Sequence, residues 1–197
     1  MEDFNKIKKL DGIHLQAKLE KKKSKCDIFI AGPYINIKKS SKHAVNNSCV
    51  MTTNRYKLWD SYTKEGYIVY LGEDDRLKEI GNISFGKYSN AVVYEIDHIK
   101  KHIDALIVFP SGAGVFCELG SWAILEVICE KMLVIIDKKH EKDKSYMNHG
   151  IVKAVKAYNS SVLYIDYNDY DKIKKSCDEF LSDKIDLLEM KKALKDG

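Results

Sequence analysis

Proline is scarce in this sequence. Two prolines, Pro33 and Pro110, in 197 residues that are 45% hydrophobic and 31% charged exclude collagenous and disordered classes and fit a chain that folds. Long apolar runs are also missing: the longest strand-like stretches are five to six residues with polar edges. A membrane helix needs roughly 18 to 20, so no membrane association is expected. The five cysteines (Cys26, Cys49, Cys117, Cys129, Cys177) are odd in number, include no CxxC pair and follow no secretory leader. Reduced thiols and a cytoplasmic location are expected from this. Charge of one sign is lacking as well. Thirty-three Lys plus Arg against 29 Asp plus Glu leave a net +4 spread along the chain, too slight an excess to point to nucleic acid.

What is present reads as one domain, since about 100 to 200 residues is the usual size. Residues 1–25 read as an amphipathic helical lead-in, with acidic residues that do not suit a transit peptide; its basic run, Lys21, Lys22, Lys23 and Lys25, reads as solvated. Short β-branched and aliphatic runs follow at 27–31, 67–71, 104–109, 132–136 and 162–165. They are continuous rather than alternating, as in strands buried on both faces of a parallel sheet. Helix-period segments at 53–65, 87–103, 115–130 and 149–158 lie between them. This rhythm predicts a flavodoxin-like, three-layer α/β sandwich of about five mainly parallel strands. Segments 38–48 and 137–145 read as exposed loops, and the tail from 170 as one or two packing helices.

Ligands of such folds bind outside the carboxyl ends of the strands. After the first run comes Gly32-Pro33-Tyr34, where Gly permits close backbone approach and Tyr34 can stack on a ligand; an ordinary turn would use the same residues. After the third comes PSGAGVFCELGSWA, residues 110–123. Ser111, Gly112 and Gly114 leave room for a ribose or phosphate near the following helix N-terminus, a natural anion site. Glu118 is expected in that helix's first turn, where a carboxylate also favours the helix dipole. His98 and His102, four apart, read as a solvated helix face, Cys117 as a small buried residue, and no metal site is evident.

The 110–123 block, together with CDIFIAGPY at 26–34 and the segment 132–166, resembles the nucleoside 2-deoxyribosyltransferase-like superfamily. Within it the likeness is closest to the deoxyribosyltransferase-like effector toxins of bacterial retron anti-phage systems. The resemblance implies a catalytic domain over residues 26–169, with residues 170–197 packing on it. It further implies Glu118 as the carboxylate that attacks the anomeric carbon or stabilises an oxocarbenium ion, the Gly32–Tyr34 turn as a pocket wall, and Asn148 with His149 as part of a ligand loop. NAD is the implied substrate, with no further cofactor. A homodimer or larger homo-oligomer and a restraining defence-system protein or RNA are the implied partners. Transferases of the superfamily place an Asp six residues before the Glu, where this chain has Gly112, which speaks against base exchange. They also place an acidic residue where this chain has Ile96; Glu95 and Asp97 flank it as substitutes. The alternatives are a deoxyribosyltransferase, a nucleoside monophosphate N-glycosidase, or a nucleotide sensor without turnover.

Overall fold

A computed structural model describes residues 26–38 and 49–195. The lead-in with its basic run, and most of the 38–48 loop, lie outside the described residues. Five strands, β1 (Asp27–Ala31), β2 (Ile68–Tyr70), β3 (Ala105–Val108), β4 (Met132–Asp137) and β5 (Ser161–Ile165), form one sheet. Every pairing is parallel and the strand order is β2-β1-β3-β4-β5. This is the flavodoxin-like order, in which the direction of winding reverses between β1 and β3.

The helices are α1 (Val50–Lys64), α2 (Asp75–Phe85), α3 (Ala91–His102), α4 (Ala113–Trp122), α5 (Glu126–Cys129), α6 (Val152–Ala157) and α7 (Tyr170–Lys195). Alternate residues of each strand face opposite layers, as the pleat requires. Ile28, Ile30, Ala105, Ile107, Leu133 and Ile135 pack with Met51, Leu58 and Tyr62 of α1 and Ile173, Cys177 and Leu181 of α7. Phe29, Ala31, Leu106, Val108, Val134 and Ile136 pack with Leu77, Ile99, Leu119, Trp122, Ile128 and Val155 of α2 to α6. Both faces of the sheet are therefore covered, which explains why the strands read as unbroken apolar runs.

Several helix expectations are corrected. α2 was not foreseen: it is short, only Leu77 and Gly81 are buried along it while Ile80 and Ile83 stay exposed, and it is started by Asp74, whose side chain accepts from the Arg76 N–H. The segment expected as one helix from 115 is two, because the chain turns after Trp122 before α5 begins. The last segment starts with a π-helical turn at Met147–Ile151 before α6. The tail is a single helix of 26 residues, about 39 Å long at the usual rise. After α1 the chain reverses into β2 through Gly66 at φ 90°, a conformation that disfavours a side chain.

Candidate active site

The carboxyl ends of β1, β2 and β3 open into a cavity of about 430 Å³ at the point where the winding reverses. Phe29 and Ala31 reach it from β1, the Gly32–Tyr34 turn walls one side, and Gly112, Gly114 and Glu118 line it from the start of α4. Glu73, just past β2, and Tyr94 and Glu95 of α3 complete the opposite side. Helix α4 begins at Ala113, so Glu118 is its sixth residue and sits in the second turn, not the first as expected. The correction matters: Glu118 is not spent on capping the helix, and Gly112 stands at the N-cap with no side chain to block the N–H groups.

Neither Glu118 nor Glu95 has a hydrogen-bond partner among the described residues. Burial raises the pKa of Glu118; Arg55 opposes this and Glu73 adds to it. Glu95 is 4% exposed. Burial, then the charges of Glu118 and Glu73, push its carboxyl up to about 8 against the pull of Arg55. Glu95, the more buried of the two carboxyls, is the one whose protonated form this environment favours more strongly. Gly72 makes this placement possible, since a Cβ there would stand 2.9 Å from Glu95 Oε1.

Arg55 of α1 is 1% exposed and is the one cation among the described residues lining the cavity. Its Nε and Nη2 donate to the Ile30 carbonyl at 3.2 and 2.7 Å, and Nη1 donates to the Pro33 carbonyl at 2.9 Å. Nη1 and Nη2 also donate to Glu73 Oε1 and Oε2 at 2.6 and 2.9 Å. Glu73 Oε1 accepts in addition from the Ile35 N–H at 2.9 Å. Gly32 has no side chain because a Cβ would meet Arg55 Cδ at 2.8 Å. A second, smaller cavity of about 220 Å³ between α3 and α4 shares Glu95 and Glu118 with the first and is otherwise lined by Val92, Cys117, Ser121 and Trp122 among others.

Of the residues singled out in the sequence, Gly32, Pro33, Tyr34, Glu95, Gly112, Gly114 and Glu118 meet at the first cavity. Asp97, Ser111, Asn148 and His149 do not line it. Asp97 lies two residues beyond Glu95, on another face of α3, and pairs with Lys101 at 2.7 Å. Ser111 Oγ donates to the Phe109 carbonyl at 3.4 Å. The Asn148 amide donates to the carbonyls of His140 and Asp143 at 2.7 and 2.8 Å and accepts from Tyr164 OH at 2.9 Å, so it ties down the loop after β4; His149 is exposed.

Two discounted residues are also corrected. Cys117 is exposed, on the surface of α4 that borders the smaller cavity. His98 is buried against Tyr70 and His102, with ring centroids 4.5 and 5.2 Å away, and neither ring nitrogen has a partner. The sequence reading passed over Arg55 and Glu73, although each left a signal. Arg55 occupies a slot in the stripe Met51, Arg55, Leu58, Tyr62, where an apolar residue is expected, and Gly72-Glu73 directly follows a strand. Among the described residues no group of three or more His, Cys, Asp or Glu is placed to hold a metal ion, and no helix is long and apolar enough to cross a membrane.

Comparison with known proteins gives this geometry a family. An Escherichia coli protein described as "Retron Ec86 putative ribosyltransferase/DNA-binding protein" is 35% identical over 77 residues, which are 39% of this chain and 24% of that protein. The chain thus matches about a quarter of that relative's length. The model of the family described as STM3845 retron effector protein matches residues 51–196, a span that holds Arg55, Glu73, Glu95 and Glu118. The chain belongs to the STM3845 retron effector family.

Proposed function

We propose that this chain cleaves the N-glycosidic bond of a nucleotide, with NAD as substrate, nicotinamide as leaving group and Glu118 as the attacking carboxylate. The observation that carries this reading is the unpartnered Glu118 carboxylate facing a cavity at the sheet's switch point, beside a second carboxyl, Glu95, whose burial favours its protonated form. The ribosyltransferase wording of the E. coli relative and the resemblance to deoxyribosyltransferase-like enzymes support the same class of chemistry.

Cleavage of a ribosyl–nitrogen bond passes through an oxocarbenium-like state, which a nearby carboxylate stabilises or captures. A Glu118 oxygen bonds to C1′ as the C1′–N bond breaks, and the bonding pair passes to the pyridinium nitrogen, which leaves as neutral nicotinamide. Water then displaces the carboxylate from C1′ and releases one proton to solvent, giving ADP-ribose and regenerating Glu118. Glu95, protonated, donates a hydrogen bond to a ribose oxygen and spares Glu118 a like charge. The cationic nicotinamide ring of bound NAD suits the cavity, whose carboxylates outnumber a guanidinium already committed to Glu73. Gly112, Gly114 and the bare start of α4 offer N–H groups to a phosphate.

In this reading the activity serves anti-phage defence and a partner of the same system holds it in check, which membership of a retron effector family supports. A homo-oligomer is part of this reading, as the resemblance implies. The test is to incubate the purified protein with NAD and with a panel of deoxynucleosides and nucleoside monophosphates and to chromatograph the products. Nicotinamide and ADP-ribose are expected, and Glu118→Gln lowers their formation about 10³-fold or more, as loss of a nucleophile does. Exchange of bases among deoxynucleosides would make the protein a transferase, and a nucleotide bound but returned unchanged would make it a sensor.

A further inference from the structure

We propose that Arg55 is a positioning residue of this site, holding the β1 turn as the cavity's wall and, in balance with Glu73, setting the charge that Glu118 carries; the proposal rests on the reading of Glu118 given above. A guanidinium has five N–H donors in a fixed fork, and all five of Arg55 are engaged: three on the carbonyls of Ile30 and Pro33 and two on Glu73. Through these bonds α1 is tied to the end of β1 and to the segment after β2. Glu73 extends the tie to the Ile35 N–H beyond Tyr34. The turn that walls the cavity is therefore gripped on both sides of Tyr34.

A buried ion pair is a weak source of stability, because removing two charges from water offsets most of their attraction. A well-packed apolar pair would hold the same layers together. What an apolar pair would not supply is charge beside the two carboxyls. The titratable groups facing Arg55 around the cavity are Glu73 from the segment after β2, Tyr94 and Glu95 from α3, Glu118 from α4 and Tyr34 from the β1 turn. Arg55 favours ionised Glu118 and Glu95, while Glu73 disfavours both. At Glu118 the pull of Arg55 outweighs the push of Glu73, whereas at Glu95 Glu73 outweighs Arg55, so the pair favours the anion at the first carboxyl and the acid at the second.

The two partners of one clamp should then have opposite effects, which a structural tie would not produce. The experiment follows the carboxyl signals of the full chain by ¹³C NMR with labelled glutamate, assigning Glu118 by its loss in Glu118→Gln. Glu73→Gln, which keeps the shape of the side chain, is expected to lower the Glu118 midpoint by about one pH unit, and Arg55→Gln to raise it by about as much, the scale of one charge change nearby. The acid limb of kcat/KM for NAD moves the same way in each variant. Midpoints that stay put in both variants, or that move in the same direction, would overturn the proposal. Circular dichroism checks the folds, and if Arg55→Gln fails to fold, the Glu73→Gln shift alone decides. The NMR readout needs no turnover: should Glu118→Gln prove fully active, the hydrolase reading fails while the titrations still judge the clamp.

Discussion

Glu95 and His98 lie one turn apart on α3, and burial moves their pKa values in opposite senses to the same end, the neutral form. Glu95 holds its proton up to about 8, whereas the unfolded chain releases it near the ordinary carboxylate value. Between those values the native state binds more protons, so this contribution to stability is full at low pH and falls as pH rises toward 8. His98 is pushed down to about 4 by burial first and then by His102 and Arg76, and the unfolded chain takes up its proton below about 6.5. Its contribution is full above that value and falls as pH drops toward 4. Glu95→Gln is therefore expected to raise the melting temperature most at pH 8 and above, and His98→Phe to raise it most near pH 4 to 5. Melting curves across that range check both, and a Glu95→Gln gain that vanished at high pH would contradict the assignment. The glycines give a sharper contrast. Gly72→Ala drives a Cβ against the Glu95 carboxyl, so it should cost activity as well as about 1–3 kcal/mol of stability, the usual scale of overpacking. At this scale the sequence was only partly legible. Glu118, Glu95 and the Gly32 turn stand beside strand ends and could be found by position, whereas Arg55 acts from the middle of a helix across the sheet and is placed only by tertiary packing.

Element α4 follows from its sequence: an apolar strand, small residues that let the chain turn, then Val115, Leu119 and Trp122 on one buried face. Truncating that face with Leu119→Ala should cost about 2–5 kcal/mol by the cavity it leaves, and it should loosen Glu118, its neighbour in sequence. Element α2 was illegible for the opposite reason, because Gly81 replaces an apolar residue at its contact with α3. A Cβ on Gly81 would stand 2.7 Å from Tyr94, so the ring of Tyr94, a cavity residue, occupies the space the glycine leaves. Gly81→Ala should destabilise by about 1–3 kcal/mol in the native chain. In a Tyr94→Gly background, which removes the Tyr94 Cβ as well as its ring, it should become neutral or stabilising by up to about 1 kcal/mol, the ordinary gain of Ala over Gly in a helix. A double-mutant cycle in denaturant measures this coupling. The strands were legible to within a residue or two because their burial on both faces writes a continuous apolar run. The boundaries of α4 and α5 were not, since the turn after Trp122 depends on packing rather than on a breaker in the sequence.

At the scale of the molecule, the all-parallel order and the position of the cavity follow from one fact, the alternation of strand and helix along the chain, and both were legible in that rhythm. The flavodoxin-like fold by itself serves many chemistries, so function rests on the site. The proposed NAD cleavage predicts that cells expressing the chain alone lose NAD, and that those expressing Glu118→Gln keep it. The central claim is that the carboxylate at the lip of β3 breaks the glycosidic bond. Its most direct test is the rate of nicotinamide release from NAD by purified wild-type chain and by Glu118→Gln, measured at pH 7 after both are shown to melt at the same temperature. The account predicts turnover by the wild type and a loss of about 10³-fold or more in the variant; equal rates from two equally folded proteins would contradict it.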